Sequence, residues 1–212
     1  MKALGWGLLL LATGCPKHHN TAMANLQTVA PAPRAVEWRE QVTINDAVML
    51  SIKVWQTWEG PRFEDGREVY TVVEKQDDGR GVQVRQQFDV FYGPEGYGYL
   101  GTRPEGGPLD PYKPPEVVLP LEPVVGATWS SVHRKGVTDS DRSCELIESD
   151  LCKGGMVSVC DTVRPDTRVV TRDHFCPVIG WAGYESLFVR EGQRERRWTE
   201  ALTKDGIDFG PR

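Results

Sequence analysis

The stretch EVYTVVEKQDDGRGVQVRQQFDVFYG, Glu68–Gly93, holds two runs rich in valine, tyrosine and phenylalanine on either side of QDDGRG. Such residues favour a pleated, half-buried backbone. Asp78-Gly79 between them is a strong two-residue turn signal. The stretch therefore reads as a β-hairpin, with Glu68–Glu74 paired to Val82–Phe91.

The same pattern extends in both directions. Towards the N-terminus, VEWREQVTI sets Val36 and Trp38 against Glu37 and Arg39. AVMLSIKVWQTW places Val48, Leu50, Ile52 and Val54 on one face until Trp55 and Trp58 interrupt it. Towards the C-terminus, GYGYLGT reads as a short strand. After VVLPLEPVVGATWSS come SCELIES, GGMVSVCDTV, RVVTRDHF, GWAGYESLFVRE and RERRWTEALTK as five further strands. LCKGG, RPDT, CPVIG and EGQR supply the turns among them. Period-two alternation with short turns predicts an antiparallel meander with one solvated face. Residues 101–116, GTRPEGGPLDPYKPPE, are rich in proline and glycine and read as a loop between two halves. Apart from a trace over residues 21–29, no helical stripe stands out. With 22 glycines and 15 prolines against 39% hydrophobic residues, the composition favours the same turn-rich, all-β class.

The N-terminal segment has a different character. Lys2 precedes the apolar run ALGWGLLLLA (residues 3–12), and small residues follow, the anatomy of an export signal. The run is too short to span a membrane, which takes about 20 residues. LATGC, ending at Cys15, resembles the lipobox of bacterial lipoproteins, with Ala12 standing where leucine is usual. The resemblance implies cleavage before Cys15 and acylation of that residue, giving stable membrane attachment. Pro16, rather than aspartate, follows the cysteine, which by the enterobacterial sorting rule favours the outer membrane. An ordinary secretory signal cut nearby is the competing reading. Residues 16–34 end in VAPAPR and read as a flexible tether, with His18 and His19 as polar spacer. The expected organisation is a signal peptide over 1–14, a lipidated N-terminus and linker over 15–34, and one β domain over 35–212.

Besides Cys15 there are four cysteines, Cys144, Cys152, Cys160 and Cys176. An even number in an exported chain reads as two disulfides, and the long spacings disfavour zinc. Of three connectivities, hairpin geometry favours one. A turn centred on Cys152 opposes Cys144 to Cys160 and leaves Cys152 to reach Cys176.

VVLPLEPVVGATWSS, FCPVIGWAGYES and RRWTEAL resemble, in that order, segments of a group of exported bacterial β-proteins of unknown function labelled TapB-like. The resemblance covers Val117–Leu202 and implies a sheet curved into a half-barrel or open barrel, similar to the lipoprotein-carrier fold. The four cysteines depart from the group. Gly180 and Gly183 would permit bends between strands. Trp129, Trp181 and Trp198 read as core anchors rather than stacking platforms.

Residues for chemistry are few. His133, His174 and Asp173 form the most plausible acid–base set, and Ser130, Ser131 and Ser158 the nominal nucleophiles. No G-x-S-x-G elbow supports them. Asp77–Gly81 and Asp139–Ser143 resemble calcium loops but lack the distal glutamate, so both read as turns. Gly93–Gly101 is glycine-rich without the ending of a phosphate loop. The net charge of −5 argues against nucleic acid as a partner, which requires clustered Lys and Arg. These residues predict no metal, no cofactor and no enzyme. They predict a membrane-anchored envelope lipoprotein that holds a hydrophobic ligand or an envelope protein on a curved sheet, or else a structural component that engages a partner through a sheet edge.

Overall fold

The computed structural model describes residues 16–33, 35–104, 107–135, 138–177, 180–204 and 207–208, with the side chains of 16–22, 133–139 and 198–208 outside the description. One helix, α1 (Pro16–Val29), precedes a continuous meander. Its first half contains β1 (Ala35–Ile44), β2 (Ala47–Glu64), β3 (Arg67–Asp77), β4 (Val82–Gly93), β5 (Gly96–Arg103) and β6 (Asp110–Pro120). The second half contains β7 (Thr128–Lys135), β8 (Thr138–Glu148), β9 (Met156–Val163), β10 (Arg168–Cys176), β11 (Gly180–Arg190), β12 (Gln193–Lys204) and the two-residue β13 (Ile207–Asp208). Each strand pairs with the next, and β1 also pairs antiparallel with β12, so the sheet curls round into a nearly closed barrel. The hairpin read from Glu68–Gly93 is present, with Asp77 opposite Val82 and Glu68 opposite Tyr92. Its turn is fastened by Asp77 and Asp78, whose carboxylates accept from the amides of Gly79 (2.8 Å) and Arg80 (3.1 Å). Asn45-Asp46, Asp65-Gly66 and Glu191-Gly192 each carry two positive φ angles, the twist that a two-residue hairpin needs.

The barrel has one unsealed seam. Among the described residues, β6 pairs with β7 only at Lys113 opposite Arg134. The cause is written in β6: Pro111, Pro114, Pro115 and Pro120 have no N–H to give a ladder. Side chains bridge the gap instead. The Trp129 indole donates to the Val117 carbonyl at 3.1 Å, and Arg142 of β8 forms an ion pair with Glu116. On its other edge β6 lies very close to β5. A Cβ at Gly98 would stand 1.9 Å from the Glu116 carbonyl oxygen, so only glycine fits there. The expectation of a loop over 101–116 is corrected here. Residues 110–116 are strand, because prolines at a seam remove no bond that the sheet was using.

The interior differs from end to end. At the end holding the β4–β5 turn, Val72, Val90, Tyr92, Tyr97, Leu119, Leu146 and Phe175 form the main apolar core. Leu26 at the end of α1 and Ala30 just beyond join this cluster, 0% and 2% exposed. The Tyr92 hydroxyl donates to the Ala30 carbonyl at 2.6 Å, and the Gln27 amide donates to Glu68 at 3.0 Å. The segment read as a flexible tether is therefore a helix whose last turn plugs the barrel. Met23, Leu26 and Val29 pack on the core, and this short stripe showed in the sequence only as a trace over 21–29. The two disulfides lie towards the same end. Cys144 bonds to its directly opposed neighbour Cys160 (Cα–Cα 4.1 Å), and Cys152 bonds to Cys176 (5.9 Å). Glu148 opposes Met156, which centres the hairpin on Cys152. Leu26→Ala should remove the plug's anchor and lower unfolding stability by about 2–5 kcal/mol in urea titration. An unchanged midpoint would show that α1 is not part of the folded unit.

Candidate functional site

The strands that build the apolar plug run on past it and line a cavity of about 310 Å³. Phe88, Tyr99, Asp173 and Ser186 lie on its wall, each further along its strand from the plugged end than the core residues beside it. The cavity thus occupies the half of the barrel away from α1.

One wall of it is an ion-pair cluster. Glu40 of β1 and Glu74 of β3 share the inner face with Trp38 and Val72 by strand alternation, and both are buried. Arg85 joins them through a bulge. Gln86 pairs with Glu74 and Val84 with Lys75, so Arg85 is the extra residue on β4. A bulge re-aims the side chain it carries. Arg85 holds Glu40 with both terminal nitrogens, at 2.7 and 2.9 Å, and its Nε lies 3.3 Å from Glu74. Gln56 and Gln86 also donate to Glu74, at 2.9 and 3.1 Å, and Arg197 stands 3.9 Å from Glu40. Burial raises the Glu74 pKa above the usual carboxylate range, although Arg85 and the two amides pull it back.

The deeper wall is aromatic and carries a second carboxylate. Trp38 and Trp181 meet edge to face with centroids 5.4 Å apart, and Phe88 and Tyr99 do so at 5.6 Å. The register puts Phe175 opposite Trp181 and His174 opposite Gly183, so Ala182 is bulged and Trp181 keeps its place on the inner face. The Trp181 indole donates to Asp173 Oδ1 at 3.0 Å. Asp173 is 4% exposed, and burial pushes its pKa up to about 6 against the pull of that bond and of the Arg142 charge. Burial also raises the Tyr184 hydroxyl to about 12 and lowers Arg142 from the ordinary guanidinium range. The Trp38 indole N–H is buried and has no partner among the described residues.

Asp89 shows how differently a buried carboxylate can be held. It is fully buried too, yet accepts from Arg103 at 2.6 and 3.0 Å, Arg62 at 2.5 Å and Thr71 at 3.0 Å. Burial raises its pKa, but these donors prevail and hold the carboxyl below its ordinary value. A satisfied carboxylate of this kind is structural.

Of the described residues named as candidates for chemistry, Asp173 reaches the cavity and His174, Ser130, Ser131 and Ser158 are not among its lining. His174 follows Asp173 on the same strand and faces the other way, half-buried, with burial lowering its pKa. Ser158 is buried with its hydroxyl 3.6 Å from Cys160 Sγ. Ser130 and Ser131 lie on β7. Cys15 and the side chains of His18, His19, His133 and Trp198 lie outside the described residues. Asp139–Ser143, expected as a turn, lies within β8, because its alternate residues Ser140 and Arg142 are buried in the barrel. Among the described residues no three candidate ligands cluster closely enough to hold a metal ion. Trp129 packs on the core, and Trp181 both packs on it and lines the cavity. Sequence reasoning missed Glu40, Glu74 and Arg85. The available signal was period two, which sets Glu40 in one row with Trp38 and Val42.

No protein family, no curated protein and no solved structure matches this chain.

Asp173 gives a pH test. Its folded pKa is raised, so its contribution to stability is full below the unfolded value and is lost as pH rises through about 6. Asp173→Asn keeps an acceptor for Trp181 without the charge. It should stabilise the protein by about 3 kcal/mol at pH 7.5 and by well under about 1 kcal/mol near pH 4. Urea titrations at the two pH values would measure this, and an equal or opposite effect at both would refute it.

Proposed function

We propose that this chain is a bacterial envelope lipoprotein, tethered through acylated Cys15, whose barrel is a non-enzymatic receptor for a small ligand. The observation that carries the binding role is the cavity of about 310 Å³, with buried charges on one wall and aromatic rings on the other. A fold gains little from burying Glu40, Glu74 and Asp173, since desolvating charges opposes folding. Such groups are retained where a concave site needs them. The lining suits a polar ligand better than a purely hydrophobic one. Two disulfides fit an oxidising compartment outside the cytoplasm. The lipobox-like LATGC supports anchoring, and Pro16 favours the outer membrane. The TapB-like resemblance supports the same exported setting.

A second reading is a structural component that engages a partner at the β6–β7 seam, where the ladder is interrupted. The prolines of β6 weigh against it, because they withhold the N–H groups that strand addition uses.

Purification of the mature chain from membranes, followed by intact and native mass spectrometry, tests the proposal. The expected chain starts at an acylated Cys15 and carries a non-covalent mass that is lost on gentle activation. An unmodified Cys15, or cleavage elsewhere, would overturn the anchoring. A chain that never carries added mass would overturn the receptor role.

A further inference from the structure

The charges around the cavity do not cancel. Arg85 lies between Glu40 and Glu74, and Arg197 reaches towards Glu40. Arg142 forms its ion pair with Glu116, and its charge also acts on Asp173 without contact at ion-pair distance. Asp173 then has, among the described residues, the Trp181 indole N–H as its hydrogen bond and no ion pair. A carboxylate can accept about four such bonds. Asp89, on two guanidiniums and a hydroxyl, shows that this fold supplies a full set where the role is structural. Beside Asp173 the cavity wall presents the rings of Trp38, Trp181, Phe88 and Tyr99. Aromatic faces attract cations, tryptophan most strongly.

We infer that the cavity binds a small organic ammonium ion, with its positive group at Asp173 and against the indole rings. The inference deepens the receptor reading above and rests on it. An anionic ligand would meet Glu40, Glu74, Glu116 and Asp173, while the arginines that could receive it are already engaged. A neutral ligand of the same shape would leave Asp173 uncompensated in a low-dielectric wall. An ammonium ion supplies the missing charge and up to three donors.

The test uses three probes of one shape and three charges, benzylamine, benzyl alcohol and benzoate, titrated calorimetrically into the full mature chain in detergent at pH 7.5. Benzylamine should bind at least tenfold more tightly than benzyl alcohol, and benzoate should bind more weakly still. Asp173→Asn should reduce benzylamine to about the affinity of the alcohol. Equal or tighter binding of the alcohol or of benzoate would overturn the cation assignment and leave the receptor role standing. So would benzylamine binding that Asp173→Asn does not weaken. No binding of any probe would also overturn the assignment, and the native mass of the membrane-purified chain then decides the receptor role separately.

Discussion

Twelve strands curled into a nearly closed barrel enclose more volume than inward side chains fill, because barrel diameter grows with strand number. The rest of this structure follows from that constraint. At one end the excess is filled by the last turn of α1, with Leu26 seated among Tyr92, Tyr97 and Phe175. Away from that end the space stays open, faced on one wall by paired charged side chains and on the other by aromatic rings around Asp173. The seam at β6 eases closure, since a proline strand lets the wall meet through Trp129 and Arg142 rather than through a full ladder.

Two kinds of buried charge result, and their surroundings separate them. Asp89 is enclosed by donors and gives up its proton more readily than a free carboxyl. Asp173 is enclosed by rings, and its burial favours the protonated form. The first arrangement is what stability selects. The second burdens the empty protein and is relieved by a bound cation, the usual trade between a stable interior and a working site. The Arg85 cluster lies between these cases. It is well bonded, with Arg85 and Arg197 set against Glu40 and Glu74.

Much of the fold was legible because the alternation is strong and the turns are chemically marked. Asp78-Gly79 set the first hairpin, and the spacing about Cys152 placed Cys144 opposite Cys160. The misreadings have physical causes. β6 looked like a loop because proline is read as a breaker, whereas at a seam it interrupts nothing. α1 looked like a tether because its apolar stripe is short and its docking also depends on a backbone carbonyl met by Tyr92, which no periodicity displays. The site was harder still. Alternation shows which residues share a face but not that the face encloses a cavity, so Glu40 and Glu74 resembled solvated strand positions. Arg85 turns inward only because of a bulge, which shifts the parity that sequence reading relies on. Asp173 was picked out as an acid, yet its neighbour His174 faces the opposite side and the indole that holds it comes from β11.

The claim on which the account rests is that Asp173 is a carboxylate buried in an aromatic wall, hydrogen-bonded by an indole and in ion-pair contact with no cation among the described residues, its cationic neighbour Arg142 being paired with Glu116. Carbon-13 NMR of its side-chain carboxyl, followed through a pH titration and assigned by comparison with Asp173→Asn, measures this directly. The account predicts a midpoint of about 6 in the ligand-free protein. A midpoint near 4 or below would contradict it, because Asp173 would then be as well compensated as Asp89.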